Sequence, residues 1–240
     1  MAEICAYKRL ALVPARGGSK RIPRKNICDF HGRPMLSYPL EAARESGLFD
    51  LVHVSTDDAE IAAIAGTYGA DASLDRPAFL ADDHTPLLPV AKWVLESFSA
   101  QGLQFDDVFI LFPCSPLLEA HQLREAYDIY LDHGRKKNLL TVAKCPAHLE
   151  YYYRRADDGA LDPVVPGGAF IRSQELGSVY YETGTFTIFS REWLLESESL
   201  ADDRNYVSYE IPALQAVDID SPADLEQARL LYHLMHPTKG

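Results

Sequence analysis

Leu10-Ala11-Leu12-Val13-Pro14-Ala15-Arg16-Gly17-Gly18-Ser19-Lys20-Arg21-Ile22-Pro23-Arg24-Lys25-Asn26 is the stretch that decides the fold. Its first four residues form an apolar run that reads as a buried strand. The rest holds five basic side chains (Arg16, Lys20, Arg21, Arg24, Lys25) and no acidic one, in a chain of net charge -12. Gly17 and Gly18 let the backbone approach a ligand closely and adopt φ > 0, so that N–H groups can line a concavity, and Ser19 adds a hydroxyl. A cationic, donor-rich loop at the carboxyl end of a first strand is where open α/β sheets hold phosphate. The loop matches neither G-x-x-x-x-G-K-[ST] nor G-x-G-x-x-G.

Outward from this loop the chain alternates between strand and helix. A helix over Met35–Ser46 ends at Gly47, with Pro39 in its first turn. Leu51–Ser55 is a second strand, after which Thr56-Asp57-Asp58 caps a helix running to Tyr68. Residues 69–72 lead into a short third strand. Pro86–Ser99 and His121–His133 read as helices, and Val108–Phe112 and Leu139–Ala143 as strands, the former apolar throughout like a central parallel strand. This rhythm argues for a mostly parallel sheet. From Cys145 to about Val179 it breaks, in a stretch holding Pro146, Pro163, Pro166, Gly167, Gly168 and Tyr151-Tyr152-Tyr153. So long an aperiodic segment is functional, intermolecular or a surface meander. Phe186–Phe189 and Tyr206–Ile211 resume the sheet, and a last helix spans Pro222–Leu234.

A chain of 240 residues with 47% hydrophobic content can fill one core, so residues 1–240 are read as a single domain with 145–179 as an excursion. The pI of about 5.1 argues against nucleic-acid and membrane-surface partners, but not against small anions, for which local charge decides. No apolar run reaches membrane-spanning length, and Met1–Cys5 lacks a signal pattern. Cys5, Cys28, Cys114 and Cys145 are scattered, fitting neither a disulfide framework nor a zinc site, and a reducing cytoplasm is the simple reading.

Downstream, Asp218 and Asp220 flank Ile219 after an apolar lead-in. If this segment is extended, both carboxylates point to one side and can ligate Mg²⁺. The alternative is that they cap the helix beginning near Ser221-Pro222.

Ala15-Arg16-Gly17-Gly18-Ser19-Lys20 with Lys25-Asn26 resembles the signature loop of the acylneuraminate cytidylyltransferases, the CMP-sialic acid synthetase family. Val54-Ser55-Thr56-Asp57-Asp58, Arg76-Pro77 with Leu80-Ala81-Asp82-Asp83, Ser115-Pro116-Leu117, Gly184 and Val217-Asp218-Ile219-Asp220 recur in the family's order, from about Arg9 to about Leu234. The resemblance implies a three-layer α/β/α fold of the Rossmann-like, glycosyltransferase-A-like nucleotidyltransferase type. It also implies a homodimer in which the excursion reaches over the partner's site. The implied reaction joins CTP to the anomeric hydroxyl of a nonulosonic acid and releases pyrophosphate, with Mg²⁺ held by Asp218 and Asp220. It is mostly a matter of positioning and charge stabilisation.

By the same resemblance Arg16, Gly17, Ser19 and Lys20 meet the triphosphate, and Lys25 stabilises charge at the α-phosphate. Asn26, Arg76 and Thr85 contact the nucleotide, although Thr85 could equally cap the next helix. Arg21 and Arg24 read as a solvated face. Phe112, Ser115, Arg172, Gln174 and Thr187 fall at the sugar. Here the chain departs from its sialic acid relatives. Phe112-Pro113-Cys114-Ser115-Pro116-Leu117-Leu118 stands where they show Gln-Pro-Thr-Ser-Pro-Leu-Arg, and Thr187 replaces a tyrosine. A ring in place of an amide favours a less hydroxylated sugar, such as pseudaminic or legionaminic acid. Phe30-His31-Gly32-Arg33-Pro34-Met35 and the Asp82–Val90 region resemble the pseudaminic branch, whereas Phe112–Pro116 departs from that branch's Tyr-Ala-Thr-Ala-Pro. A cytidylyltransferase acting on an eight-carbon ulosonate or a phosphonate, and a non-catalytic nucleotide-binding module, are the competing readings.

Overall fold

The computed structural model describes residues 8–82, 84–200 and 205–237. The N-terminal reading at Met1–Cys5 and the Asp83 of the Arg76–Asp83 motif lie outside them. Strand β1 (Arg9–Pro14) lies between β4 (Leu51–Ser55) and β5 (Asp107–Leu111), parallel to both. Beyond β5 come β9 (Tyr180–Ser190), β6 (Asn138–Lys144) and β10 (Tyr206–Glu210), giving the order β10-β6-β9-β5-β1-β4 among the described residues. β9 runs antiparallel to both neighbours, and the remaining pairs are parallel. The chain is therefore α/β with a mostly parallel sheet, as the rhythm predicts.

Why β1 and β5 sit centrally follows from their sequences. Both are apolar at every inner position, and alternation sends the side chains to opposite faces. Ala11, Val13, Phe109 and Leu111 pack beneath α1 (Ser37–Ser46) and α4 (Ala120–Asp132). Leu10, Leu12, Val108 and Ile110 pack beneath α3 (Leu87–Ala100) and α5 (Arg191–Glu196). Helix α2 (Ala59–Thr67) follows β4. Gly47 closes α1 at φ 66, the left-handed conformation glycine adopts without a Cβ penalty.

The short third strand does not form. Only two isolated bridges, His53 with Asp71 and Thr56 with Asp75, continue the sheet there. The segment between them, Ala72-Ser73-Leu74, is too short to sustain a ladder. A small hairpin, β2 (Asp29–Phe30) with β3 (Arg33–Pro34), follows the basic loop. The excursion contains a second, β7 (Tyr153–Arg155) with β8 (Leu161–Pro163), so the aperiodic stretch is a surface arm with little core of its own. Helix α6 (Pro222–Met235) ends the fold. Because β1 connects to one neighbour on each side, its C-terminal tip opens at the switch point of the sheet, where α/β folds bind ligands.

Candidate active site

The basic loop leaves β1 between acids supplied by the tip of β4. Ala15 N donates to Ser55 O at 2.9 Å, carrying the pairing one residue past β1. Gly17 N then donates to Asp57 Oδ1 at 2.9 Å. A Cβ on Gly17 would lie 2.9 Å from Asp58 Oδ2, so glycine is required by this approach. Asp58 itself caps α2, accepting from the amides of Glu60 and Ile61 at 2.9 and 3.1 Å. Arg24, at φ 51, pairs with Glu60 at 2.8 Å and Asp58 at 3.4 Å. It is thus tied to the start of α2, not a freely solvated side chain. The loop encloses a cleft of about 430 Å³, lined by residues 16–20, Pro23 and Arg24 and faced by Ala81 and Asp82.

Two residues read as nucleotide contacts have partners within the protein. The Gly17 amide faces β4 and is engaged by Asp57, so the contribution of Gly17 is steric. Asn26 is 5% exposed and both ends of its amide are committed: Nδ2 donates to Arg16 O at 2.8 Å, and Oδ1 accepts from Cys114 Sγ at 3.3 Å. Asn26 thus braces the loop from behind.

The second element arrives from the far end of the chain. Ile22 of the loop and Ile219, both buried, join Phe30, Met35 and Tyr38 and, from α6, Leu225 and Ala228 in one apolar cluster. Each such aliphatic side chain contributes about 1.5–3 kcal/mol on full burial, so this cluster docks both segments. Lys25 Nζ consequently donates to Ile219 O at 2.6 Å and lies 3.1 Å from Asp220 Oδ1. Arg21 lies 2.9 Å from Asp220 Oδ2, so this arginine too has an acid partner.

Helix capping at α6 is done by other residues. Ser221 Oγ accepts from Asp224 N at 3.3 Å, and Asp224 Oδ2 accepts from Ser221 N at 2.7 Å. The capping box thus leaves the carboxylates of Asp218 and Asp220 free of that duty. Burial, and then the charge of Asp220, push the Asp218 carboxyl above its ordinary value, against the pull of Lys25 and Arg21. Two hard oxygen ligands whose mutual repulsion a cation would relieve fit Mg²⁺, which takes one or two carboxylates with phosphate oxygens and water. No group of three or more His, Cys, Asp or Glu suited to a metal occurs among the described residues.

Arg76 is 7% exposed and donates from Nε to Ser55 Oγ at 3.0 Å and from Nη2 to Ser55 O. Burial lowers its pKa to about 10, Asp57 opposes that shift and Arg16 adds to it, so Arg76 stands within electrostatic reach of both. Thr85 gives its hydroxyl to Asp82 at 2.9 Å, and Asp82 also accepts from the amides of His84 and Thr85. Pro86 holds the N-cap position of α3, so Thr85 does not cap it.

Phe112 is half-buried at the end of β5, its N–H donating to Thr185 O at 3.1 Å. Ser115 Oγ lies 3.4 Å from the carbonyl oxygens of Gly184 and Thr185. β9 loops out here, opposite a register shift between Leu140 and Val142, with the Thr141 hydroxyl donating to Phe186 O at 2.7 Å. Gly184, at φ +59, is thereby set beside Asp218, whose carboxylate would be 3.7 Å from a Cβ there. Phe112, Ser115 and Gly184 are thus gathered on the Asp218 side of the loop.

Thr187 is not part of that group. It sits 6% exposed in the middle of β9, paired with Ile110 and Leu140, because strand register places it inside the sheet. Arg172 and Gln174 stand exposed on the excursion and do not line the cleft. Burial raises the pKa of Cys28, and that of Cys114 to about 12, which keeps both as thiols and leaves no nucleophilic thiolate. Sequence reasoning missed Asp57 as a partner of Gly17. The available signal was that the tips of parallel neighbours β1 and β4 must adjoin.

Among known proteins, a cytidylyltransferase family model matches residues 10–127. Pseudaminic acid cytidylyltransferase of Campylobacter jejuni serotype O:2 is 34% identical over 95% of this chain and 98% of its own. CMP-N,N'-diacetyllegionaminic acid synthase of Legionella pneumophila is 28% identical over 90% of this chain and 92% of its own. A solved structure of CMP:2-keto-3-deoxy-manno-octonic acid synthetase complexed with CTP shares the fold at TM-score 0.70 and 19% identity, covering 95% of this chain and 99% of that one. With its loop, its paired aspartates and these full-length matches, the chain belongs to the acylneuraminate cytidylyltransferase family.

Proposed function

We propose that the chain transfers CMP from CTP to the anomeric hydroxyl of a nonulosonic acid and releases pyrophosphate, with an acid of the pseudaminic or legionaminic class as acceptor. The observation that carries this is the meeting of Lys25 with Ile219 and Asp220, which puts a phosphate-type loop and a carboxylate pair in one site. The sugar oxygen attacks the α-phosphorus, the bond to the pyrophosphate oxygen breaks, and negative charge grows on the non-bridging and leaving oxygens. Arg16, Ser19 and Lys20 line the cleft that would take the triphosphate. Lys25, held on Ile219 O and Asp220, would supply a fixed positive charge to the α-phosphate as charge develops there. Asp218 and Asp220 would hold Mg²⁺, which supplies charge neutralisation of the triphosphate and polarisation of the acceptor hydroxyl. Phe112 supports a less hydroxylated acceptor, since a sugar hydroxyl buried against its ring would go unpaired.

The homodimer and the cytoplasmic setting belong to this reading. The excursion exposes apolar surface that a second copy would cover, with Phe170 93% and Leu161 58% exposed. Cys28, Cys114 and Cys145 are unpaired thiols, which suits a reducing compartment. No helix among the described residues is long and apolar enough to cross a membrane. The test is Mg²⁺-dependent pyrophosphate release with CTP and a panel of pseudaminic, legionaminic and sialic acids, with the product weighed by mass spectrometry. A CMP-sugar formed fastest from one of the first two is expected. No turnover on any of the three would overturn the reading, and turnover on an eight-carbon ulosonate alone would replace it.

A further inference from the structure

We propose that Asp57 is a positioning residue of the triphosphate site, acting through the Gly17 amide and the Arg16–Arg76 pair. The inference rests on the function proposed above. Three observations converge on this carboxylate. It accepts the Gly17 N–H at 2.9 Å, a bond spanning 40 residues of sequence. Its charge acts on the buried Arg76 guanidinium, on which Arg16 acts with the opposite sign. It does not line the cleft, which the loop and Ala81-Asp82 enclose, so it reaches the loop from the β4 side.

A carboxylate in that position does two things. It fixes the peptide between Arg16 and Gly17, and with it the direction in which the Arg16 side chain leaves the backbone. The Arg16 guanidinium in fact folds toward Gly18, 4.0 Å from where a Cβ would sit. It also places a negative charge near the Arg76 guanidinium, offsetting there the like charge of Arg16. Asp58 completes the arrangement by filling the space beside Gly17, and Asn26 holds the Arg16 carbonyl at 2.8 Å. The peptide group linking Arg16 to Gly17 is therefore held at its oxygen by the 3-10 turn Lys25–Ile27 and at its nitrogen by the loop after β4. Asp57 never needs to touch the substrate for this. Its effect falls on whatever Arg16 binds, which in the cleft is the triphosphate.

Such a role separates the phosphates from the rest of the nucleotide. In Asp57→Ala the acceptor and the charge are both lost, and in Asp57→Asn only the charge. The assay is steady-state kinetics with CTP and the acceptor sugar, together with calorimetric binding of CTP and of CMP and a melting curve for each variant. Expected for Asp57→Ala is a KM for CTP raised roughly tenfold, the worth of one lost charge-assisted contact, with the sugar KM and CMP affinity within about twofold of wild type. Asp57→Asn, which retains an oxygen that can accept from Gly17, recovers at least half of that loss on a logarithmic scale. The proposal is overturned if Asp57→Ala leaves the KM for CTP within about twofold, if CMP and CTP weaken equally, or if Asn does no better than Ala. Wild-type protein that binds no CTP would instead count against the proposed function, so the two failures are told apart in one experiment.

Discussion

Replacing Lys25 with alanine separates chemistry from scaffolding, and the structure supplies the size of each effect. On the structural side two contacts disappear. The 2.6 Å bond to Ile219 O is a charged donor on a backbone acceptor, for which about 1–1.5 kcal/mol is a fair net value. The ion pair with Asp220 at 3.1 Å is worth about 1.3 kcal/mol at the dielectric constant of water. The Asp220 side chain is 39% exposed and that of Lys25 21% exposed, so screening and side-chain entropy cut that pair to about 0.5 kcal/mol. The total, about 2 kcal/mol, lowers the melting temperature of a chain this size by roughly 4–8 °C. Arg21 remains on Asp220 at 2.9 Å, and the Ile22–Ile219 cluster is untouched, so the site keeps its shape. On the chemical side, removing one group that stabilises developing charge lowers the rate by ~10²–10³, or about 3–4 kcal/mol at the barrier. Pyrophosphate release at saturating CTP, measured well below the melting transition and beside a calorimetric scan, reads both numbers. A rate within tenfold of wild type, or a loss that merely follows the unfolded fraction, would refute the role given to Lys25.

Three shorter tests probe the surrounding design. Asp218→Asn abolishes turnover, while α6 remains capped by Ser221 and Asp224, so circular dichroism and the melting temperature stay near wild type; collapse of the fold would contradict the separation of cap from site. Gly17→Ala forces a Cβ to within 2.9 Å of Asp58 Oδ2, so it loosens the α2 cap by about 1 kcal/mol and raises the KM for CTP; unchanged kinetics would show that the loop adapts freely. His53 is fully buried, with Nδ1 on Asp71 at 2.6 Å and no partner at Nε2, and burial holds its pKa below the ordinary histidine value. The unfolded chain therefore binds the extra proton first, and stability present at neutral pH is lost as pH falls below about 6.5. Urea midpoints at pH 7.5 and 5.5 should differ for wild type and differ less for His53→Phe.

The sheet was legible in the sequence because its determinants are local. Leu10–Val13 and Val108–Leu111 are apolar without interruption, and helices such as α1 carry their own stop signal at Gly47. The loop's cationic character was legible for the same reason, since five cations and two glycines within a dozen residues need no tertiary information. What could not be read was which partner each group would take. Nothing near Asn26 in the sequence shows that its amide ends rest on Arg16 O and on Cys114, the latter 88 residues away. Thr187 looks like a pocket residue until register sets it between Ile110 and Leu140. The paired aspartates could be read either as caps or as metal ligands, because Ser221 and Asp224, which take the capping duty, are not told apart by composition from a simple Asp cap. Burial and long-range pairing decided each of these, and neither is encoded in a window of neighbouring residues.

One physical difficulty remains in binding a polyanion with so acidic a chain, and the site answers it locally. Arg21 and Lys25 are matched to Asp220, Arg24 to Asp58 and Glu60, and the Gly17 amide to Asp57. A cationic loop paired in this way does not have to repel itself into an open conformation before ligand arrives, so it is preorganised at little cost in self-energy. The pairing also limits affinity for stray anions, since an incoming phosphate must compete with carboxylates for the same guanidinium and ammonium groups. A triphosphate accompanied by Mg²⁺ competes on better terms. On the function proposed above, Mg²⁺ would be held on the carboxylate side of the Lys25–Asp220 pair and the phosphates on the ammonium side, so both halves of the ion pair would find new partners at once. That reading predicts positive coupling between CTP and the metal through Asp220, seen as a CTP affinity that rises with Mg²⁺ in wild type and loses that dependence in Asp220→Asn.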